Sequence, residues 1–228
     1  VERRSASFAL RMVVHIVGDV HQPLHAADGV DANHPGGDIG GNARRFLPDC
    51  NATNLHALWD SGGGRYSLHW VSTKPEWEAM RAALLRDARQ MVQNRTAVAA
   101  MDPLRFASAL ETATWEEAVE ALSMSGGFGL VRQMIGESAG IAESEVFVGL
   151  QMNPHSFGGP LPCPDAAYFA NAASVSTQRI IVGGYRLSFF LRHIAARLRR
   201  QGLLVQGGDN VFFGVTNAWE AAPNAALH

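Results

Sequence analysis

The chain has 228 residues, of which 47% are hydrophobic and 18% are charged. This composition excludes a disordered or collagen-like protein and leaves enough apolar surface for a sizeable core. Nineteen Lys and Arg residues against 21 Asp and Glu residues give a net charge of −2, so the protein does not hold nucleic acid through bulk positive charge.

The first predicted helix covers residues 5–21, which read SASFALRMVVHIVGDVH and are apolar on nearly every face. Such a sequence is typical of a helix buried in a core. Pro23 ends the helix because it lacks a backbone donor and restricts the residue before it. Residues 26–53 are rich in Gly, Asp, Asn and Pro without a period, which predicts a loop long enough to be functional.

A second helix begins with residues 54–60, which read NLHALWD, and either Asn54 or Thr53 serves as its N-cap. Pro75 suits the first turn of a third helix, whose apolar stripe we expect in the core. The stripe consists of Trp77, Met80, Leu84 and Met91.

Two further helices are predicted in the second half of the chain. One starts at Asp102-Pro103 and runs through Leu122, and a longer one is opened by Pro164 and runs through Leu198. Alternation with a period of two residues is almost absent. The sequence therefore predicts an all-α fold and a single domain over residues 1–228.

Two cysteines, Cys50 and Cys163, are too few for a disulfide scaffold and wrongly spaced for a structural zinc motif. They could pair with each other, remain reduced in the core, or pair with cysteines outside this chain. Sequons at Asn51 and Asn94 favour secretion and glycosylation. The chain begins with Val1 and not with Met, so we expect the natural N-terminus, with any signal peptide, to lie upstream.

Five of the nine histidines fall within the first 56 residues, and two of them stand four residues before an aspartate. His15 and Asp19 are four apart on the first helix and share a face, and His56 and Asp60 repeat that spacing on the second. His25 follows just after the proline turn. Imidazole and carboxylate groups are zinc ligands, so these five residues predict a metal centre.

Hydrogen bonding is the simpler explanation for any one His–Asp pair. Two pairs together with His25 favour a metal, particularly because Asp19 lies in an apolar helix where an unpaired carboxylate is costly. His21 lies off the shared face, so we expect it to pack in the core or to orient a ligand. His34 lies in a loop of Gly and Pro and is expected to be solvated.

Three segments together resemble the zinc-dependent class I nucleases. They are residues 15–25 (HIVGDVHQPLH), 40–42 (GGN) and 54–60 (NLHALWD). This family contains the fungal and plant single-strand-specific nucleases and the protozoan 3′-nucleotidase/nucleases, and it is related to bacterial zinc phospholipase C. The ligand motifs span residues 8–60, and residues 115–117 and 183–187 add a weaker match.

The resemblance implies a mostly helical domain of the phospholipase C/class I nuclease type with three clustered zinc ions. His15 and Asp19 would bind a buried zinc, and Asp19 would bridge it to a neighbouring zinc. His25, His56 and Asp60 would hold a more exposed third ion.

By the same resemblance, the backbone of Gly40 and the amide of Asn42 would hold a nucleobase. The loop between His25 and Gly40 is longer than in fungal members and resembles the protozoan branch. The family's first zinc ligands, a Trp, two His and an Asp, have no counterpart here, so we expect an N-terminally truncated domain. Ligand counting agrees, because five residues cannot fill three zinc sites and only the exposed site is complete.

The function implied is metal-assisted hydrolysis of single-stranded DNA, RNA and 3′-nucleotides by a zinc-bound hydroxide, leaving 5′-phosphate products. The resemblance further implies a monomer in the secretory pathway, secreted or at the cell surface, with any membrane anchor C-terminal to His228. No protein partner is implied. A zinc phospholipase C and a non-catalytic helical zinc-binding protein remain alternatives, and we expect the isolated 228 residues to be inactive.

Overall fold

The computed structural model describes residues 2–66, 73–103, 129–150 and 159–201. These ranges are mostly helical and contain no strand, which confirms the predicted all-α class. The predicted helix from Asp102 through Leu122 and the motif at residues 115–117 lie largely or wholly outside them. The helices are α1 (Glu2–Asp19), α2 (Leu55–Asp60), α3 (Lys74–Gln93), α4 (Arg95–Ala100), α5 (Gly129–Ile141) and α6 (Ala166–Arg200).

The chain divides into two compact units, Val1–Phe189 and Phe190–His228. The first unit contains the core and all the candidate ligands. In the second unit the structure describes residues 190–201, which are chiefly the last turns of α6. No helix within the described ranges has the length and apolarity needed to cross a lipid bilayer.

The core of the first unit forms around the short helix α2. Leu55, Leu58 and Trp59 are at most 2% exposed and pack in one cluster with Tyr168 of α6. Trp59 Nε1 donates to the Tyr168 hydroxyl at 3.1 Å, and that hydroxyl donates to the carbonyl of Val146 at 2.5 Å. Because burial of each large apolar side chain contributes about 1.5–3 kcal/mol, α2 is held by its packing and presents its opposite face to the candidate site.

Helix α1 is less buried than its sequence predicts. Phe8 and Ile16 are 65% and 52% exposed, whereas Val17 is buried. The prediction of a helix covered on nearly every face is therefore wrong for the described residues. Apolar residues show which faces of a helix can be buried, but they do not show which faces are. In α1 only the face with Val17 is covered by the described parts of the chain.

Helix α3 begins as predicted, with Pro75 in its first turn and a capping box between Thr73 and Glu76. Its apolar stripe is not core, because Trp77 and Leu84 are both exposed among the described residues.

A buried ionic cluster joins the end of α1 to α5 and α6. Arg186 donates to both carboxylate oxygens of Glu137, at 2.7 and 2.9 Å, and to Nε2 of His21 at 3.0 Å. The Nδ1 of His21 donates to the carbonyl of Val17. Burial lowers the pKa of His21 to about 4, so the ring is neutral and packs in the interior, one of the two predicted roles.

Cys50 and Cys163 form a disulfide with each other, which is one of the three alternatives that the sequence left open. The disulfide lies beside an isolated bridge between Phe46 and Leu161. It therefore connects the long loop before α2 to the segment that leads into α6.

Candidate metal centre

Three of the predicted ligands form a compact group that could hold a metal ion. His25, His56 and Asp60 each offer one ligand atom, and these atoms lie within 4.8 Å of one another. His25 Nε2 lies 3.4 Å from Asp60 Oδ1, and His56 Nε2 lies 3.4 Å from Asp60 Oδ2. The two imidazole rings stack with their centroids 5.0 Å apart. Two imidazoles and one carboxylate are the ligands of many catalytic zinc sites, which keep a further position open.

Two short elements place these side chains. His25 ends a 3-10 turn, Pro23–His25. His56 and Asp60 lie on α2, which is capped by Asn54 through a 2.7 Å hydrogen bond from the Ala57 amide. Spacing of four residues puts His56 and Asp60 on one face, as predicted.

Contacts behind the ligands fix their orientation. His56 Nδ1 donates to the carbonyl of Gly40 at 2.7 Å, which assigns the tautomer and leaves Nε2 free to face Asp60. Gln22 Nε2 donates to Asp60 Oδ1 at 2.9 Å. Such outer contacts orient metal ligands and increase their affinity. Sequence reasoning gave no role to Gln22, although it lies within the ligand motif.

The ligands attract one another electrostatically. Burial raises the pKa of the Asp60 carboxyl, but hydrogen bonds from His25 and Gln22 outweigh burial and the pKa falls below its usual value. The hydrogen bond to Asp60 raises the pKa of His25, against the opposing effect of burial. Asp60 is therefore ionised at neutral pH and ready to bind a cation.

His15 and Asp19 continue the group along the surface. His15 Nε2 lies 3.1 Å from Asp19 Oδ2, and Asp19 Oδ1 lies 3.7 Å from His25 Nδ1. The structure thus brings all five predicted ligands into one row, with Asp19 between two histidines. The His15 and Asp19 side chains are 65% and 42% exposed, so the argument from a buried Asp19 does not hold for the described residues.

Gly40 lines an open depression of about 450 Å³ beside the ligands, together with Asp28 and Ile39. The Gly40 amide donates to Asp28 Oδ1 at 3.1 Å, and its carbonyl accepts from His56. Asn42 is exposed on the same turn, where its Nδ2 donates to the Ile39 carbonyl at 3.0 Å. Gly40 therefore contacts a predicted ligand directly, a role that the sequence did not indicate.

A buried ion pair braces the loop that carries Gly40. The Asp38 carboxylate is fully buried and accepts from Arg44 and from the amides of Gly29 and Gly41. Arg44 also donates to Asp31 at 2.9 Å. These contacts make the loop an ordered part of the site.

His34 belongs to the same network and is not solvated as predicted. Its side chain is 17% exposed, and its Nδ1 lies 3.0 Å from Asp31 Oδ1. Because the two residues are only three positions apart, a turn of the loop brings them into contact. The Gly- and Pro-rich composition of the loop does not indicate this pairing.

A second cleft, of about 310 Å³, also adjoins the ligand row. Its lining includes Asp19, His25 and Asp60 together with Tyr66 and Ile180. The ligands therefore adjoin two cavities, which share His25.

Comparison with known proteins matches residues 2–196 to the model of one family, described as S1/P1 Nuclease. The chain is also similar to Nuclease S1 of Aspergillus oryzae (strain ATCC 42149 / RIB 40), with 43% identity over 70 residues. That alignment covers 28% of this chain and 22% of Nuclease S1, so the matched part spans less than a quarter of the relative. No solved structure gives a significant match.

Proposed function

Because the chain belongs to the S1/P1 nuclease family, we propose that it is part of a zinc-dependent nuclease that hydrolyses phosphoester bonds. The observation that carries the proposal is the convergence of His25, His56 and Asp60 within 4.8 Å. The proposed substrates are single-stranded DNA and RNA and 3′-nucleotides, and the proposed products carry 5′-phosphates.

The donor set fits zinc on chemical grounds. Two imidazole nitrogens and a carboxylate leave a position for water or substrate, and the Gly40 carbonyl holds His56 with Nε2 toward the group. A zinc ion held there would supply Lewis-acid chemistry, polarising a phosphoryl oxygen and lowering the pKa of water. The protein's own part is to hold these ligands in register.

Asp19 is proposed to bridge two metal ions, because its two oxygens face His15 on one side and His25 on the other. His15 and Asp19 supply only two ligands, fewer than the three or four protein ligands of a zinc site. The proposal of three zinc ions therefore requires further ligands from elsewhere in the protein.

The nucleobase is proposed to bind at the depression beside Gly40, with the Asn42 amide as a hydrogen-bonding group on the same turn. Unpaired bases can be splayed into such a pocket, which favours single strands over duplexes. A nearly neutral chain can bind a polyanion in this way because the metal ions supply the local positive charge. The disulfide is consistent with the proposed secretory localisation.

The test compares full-length protein with its His56→Ala and Asp19→Asn variants by metal analysis and hydrolysis of single-stranded DNA. Each variant is expected to lose at least one zinc equivalent and nearly all hydrolysis. Asp87→Asn is the matched control for Asp19→Asn, because it removes a carboxylate that pairs with Arg65 at 3.8 Å rather than with a candidate ligand. Retained activity with full metal occupancy in His56→Ala would refute the proposal.

The same preparation distinguishes the alternatives. A phospholipase C would hydrolyse lecithin in preference to a 3′-nucleotide, and a non-catalytic protein would bind about one equivalent of zinc and cleave neither. Either result overturns the proposed nuclease.

A further inference from the structure

We propose that Gln22 is a positioning residue that joins the two elements of the metal centre and fixes the Asp60 carboxylate for metal binding. The inference rests on the proposed function in so far as it takes His25, His56 and Asp60 as metal ligands. It adds a residue that is not itself one of the proposed ligands.

The two ends of the Gln22 amide contact different elements. Its Oε1 accepts a hydrogen bond from the Leu24 amide at 2.5 Å and so caps the turn that ends at His25. Its Nε2 donates to Asp60 Oδ1 at 2.9 Å, on a helix 38 residues further along the chain. One side chain therefore ties the element with His25 to the helix with His56 and Asp60.

The contact with Asp60 orients the carboxylate within the ligand group. Asp60 Oδ1 accepts the hydrogen bond from Gln22 Nε2 and faces His25 Nε2 at 3.4 Å, while Oδ2 faces His56 Nε2 at the same distance. A carboxylate without this contact could rotate about its last bond. Holding one oxygen keeps each of the two oxygens directed at one imidazole, which lowers the ordering cost of metal binding.

Only a side chain with both a donor and an acceptor at this reach can make the two bonds. Glutamate at position 22 keeps the acceptor for Leu24 but places a second carboxylate against Asp60. Methionine keeps the length of the side chain and loses both bonds. The two substitutions therefore separate the cap of the turn from the contact with the carboxylate.

The turn and the helix have other supports, so loss of Gln22 should not unfold them. Pro23 and Leu24 are buried, and α2 is anchored by Leu55 and Leu58, which are completely buried. Only a small loss of stability is expected in the metal-free protein, because the net contribution of a hydrogen bond to folding is modest. The effect on metal binding should be distinguishable from this small change in stability.

The experiment measures Co²⁺ binding to full-length protein by chelator competition and records the visible spectrum of the bound Co²⁺. Gln22→Glu and Gln22→Met are compared with Gln133→Met. The control removes another glutamine that donates to a carboxylate, Glu137, at 3.3 Å and away from the ligand row. Thermal unfolding of each metal-free variant reports whether the fold is retained.

We expect Co²⁺ affinity to fall 10- to 100-fold in Gln22→Met, with altered Co²⁺ absorption bands and unfolding close to the parent. In Gln22→Glu the added carboxylate attracts the cation, so the expected sign of a displaced Asp60 is an altered Co²⁺ spectrum. Gln133→Met should match the parent in affinity and spectrum. Parental Co²⁺ affinity in Gln22→Met, or a parental Co²⁺ spectrum in Gln22→Glu, would overturn the inference, even with the nuclease proposal intact. A parent protein that binds no Co²⁺ would overturn the proposed metal centre and this inference together.

Discussion

Replacing Cys50 and Cys163 together by serine should destabilise the protein more than any single change at its surface. The disulfide closes a loop of 113 residues. In the chain-entropy treatment, a cross-link that closes such a loop lowers the entropy of the unfolded chain and so stabilises the folded protein by about 4.8 kcal/mol at 25 °C. This is a large share of the ~5–15 kcal/mol by which native proteins are stable.

Local contacts beside the disulfide cannot make up this loss. Two backbone hydrogen bonds join the same segments, from Leu47 to Leu161 at 2.9 Å and from Leu161 to Arg45 at 2.7 Å. At about 1 kcal/mol each, they are too weak to close a loop of this length by themselves. The segment that leads into α2 should therefore separate first when the disulfide is absent.

Urea unfolding followed by circular dichroism measures the effect. With an m-value of about 3 kcal/mol/M, a loss of about 4.8 kcal/mol moves the midpoint by about 1.6 M. Dithiothreitol should lower the midpoint of the parent and leave the double variant unchanged. A loss below about 1 kcal/mol at unchanged m-value would refute the argument from loop closure.

Three further predictions concern the core, the loop and the site. Tyr168→Phe leaves the indole N–H of Trp59 unpaired in the core and should cost about 1–3 kcal/mol in thermal unfolding; an unchanged midpoint would contradict it. Burial raises the pKa of Asp31, but hydrogen bonds outweigh burial and lower the pKa from 3.8 to about 2. The stability that ionised Asp31 contributes is therefore fully present above pH 4 and is lost as the pH falls toward 2. Asp31→Asn lacks this contribution, so in an acid titration its free energy of unfolding should fall by about 2 kcal/mol less than that of the parent over this interval. Gly40→Ala places a Cβ 2.6 Å from the Leu24 carbonyl at a φ of +56° and should weaken Zn²⁺ binding at least 10-fold by calorimetry, whereas parental affinity would argue against a role for the Gly40 carbonyl.

Helix α2, the start of α3 and the shared face of each His–Asp pair follow from local sequence signals. Asn54 was predicted as one of two candidate caps for α2, and the spacing of His56 and Asp60 placed both on one face. Helix α6 begins at Ala166, two residues after the proline expected to open it. These features depend on neighbours in the chain, which a sequence displays directly.

The contacts behind the ligands, which depend on distant parts of the chain, were not predicted. The contact between Gln22 and Asp60 joins residues whose spacing carries no signal, and the Gly40 carbonyl has no side chain to suggest its role. The exposure of Phe8 and Trp77 has the same origin, because an apolar side chain does not reveal which surface covers it. Burial of particular faces is decided by tertiary packing, which periodicity alone does not specify.

Helix α2 has six residues, far fewer than the roughly 12–15 that an isolated helix needs to be even marginally stable in water. A synthetic peptide of residues 54–61 would carry His56 and Asp60 but would not hold them on one face. Transplanting the ligands into another protein would therefore require the buried side chains of Leu55, Leu58 and their surroundings as well. Helix α2 and the core cluster packed against it therefore have to be transferred together.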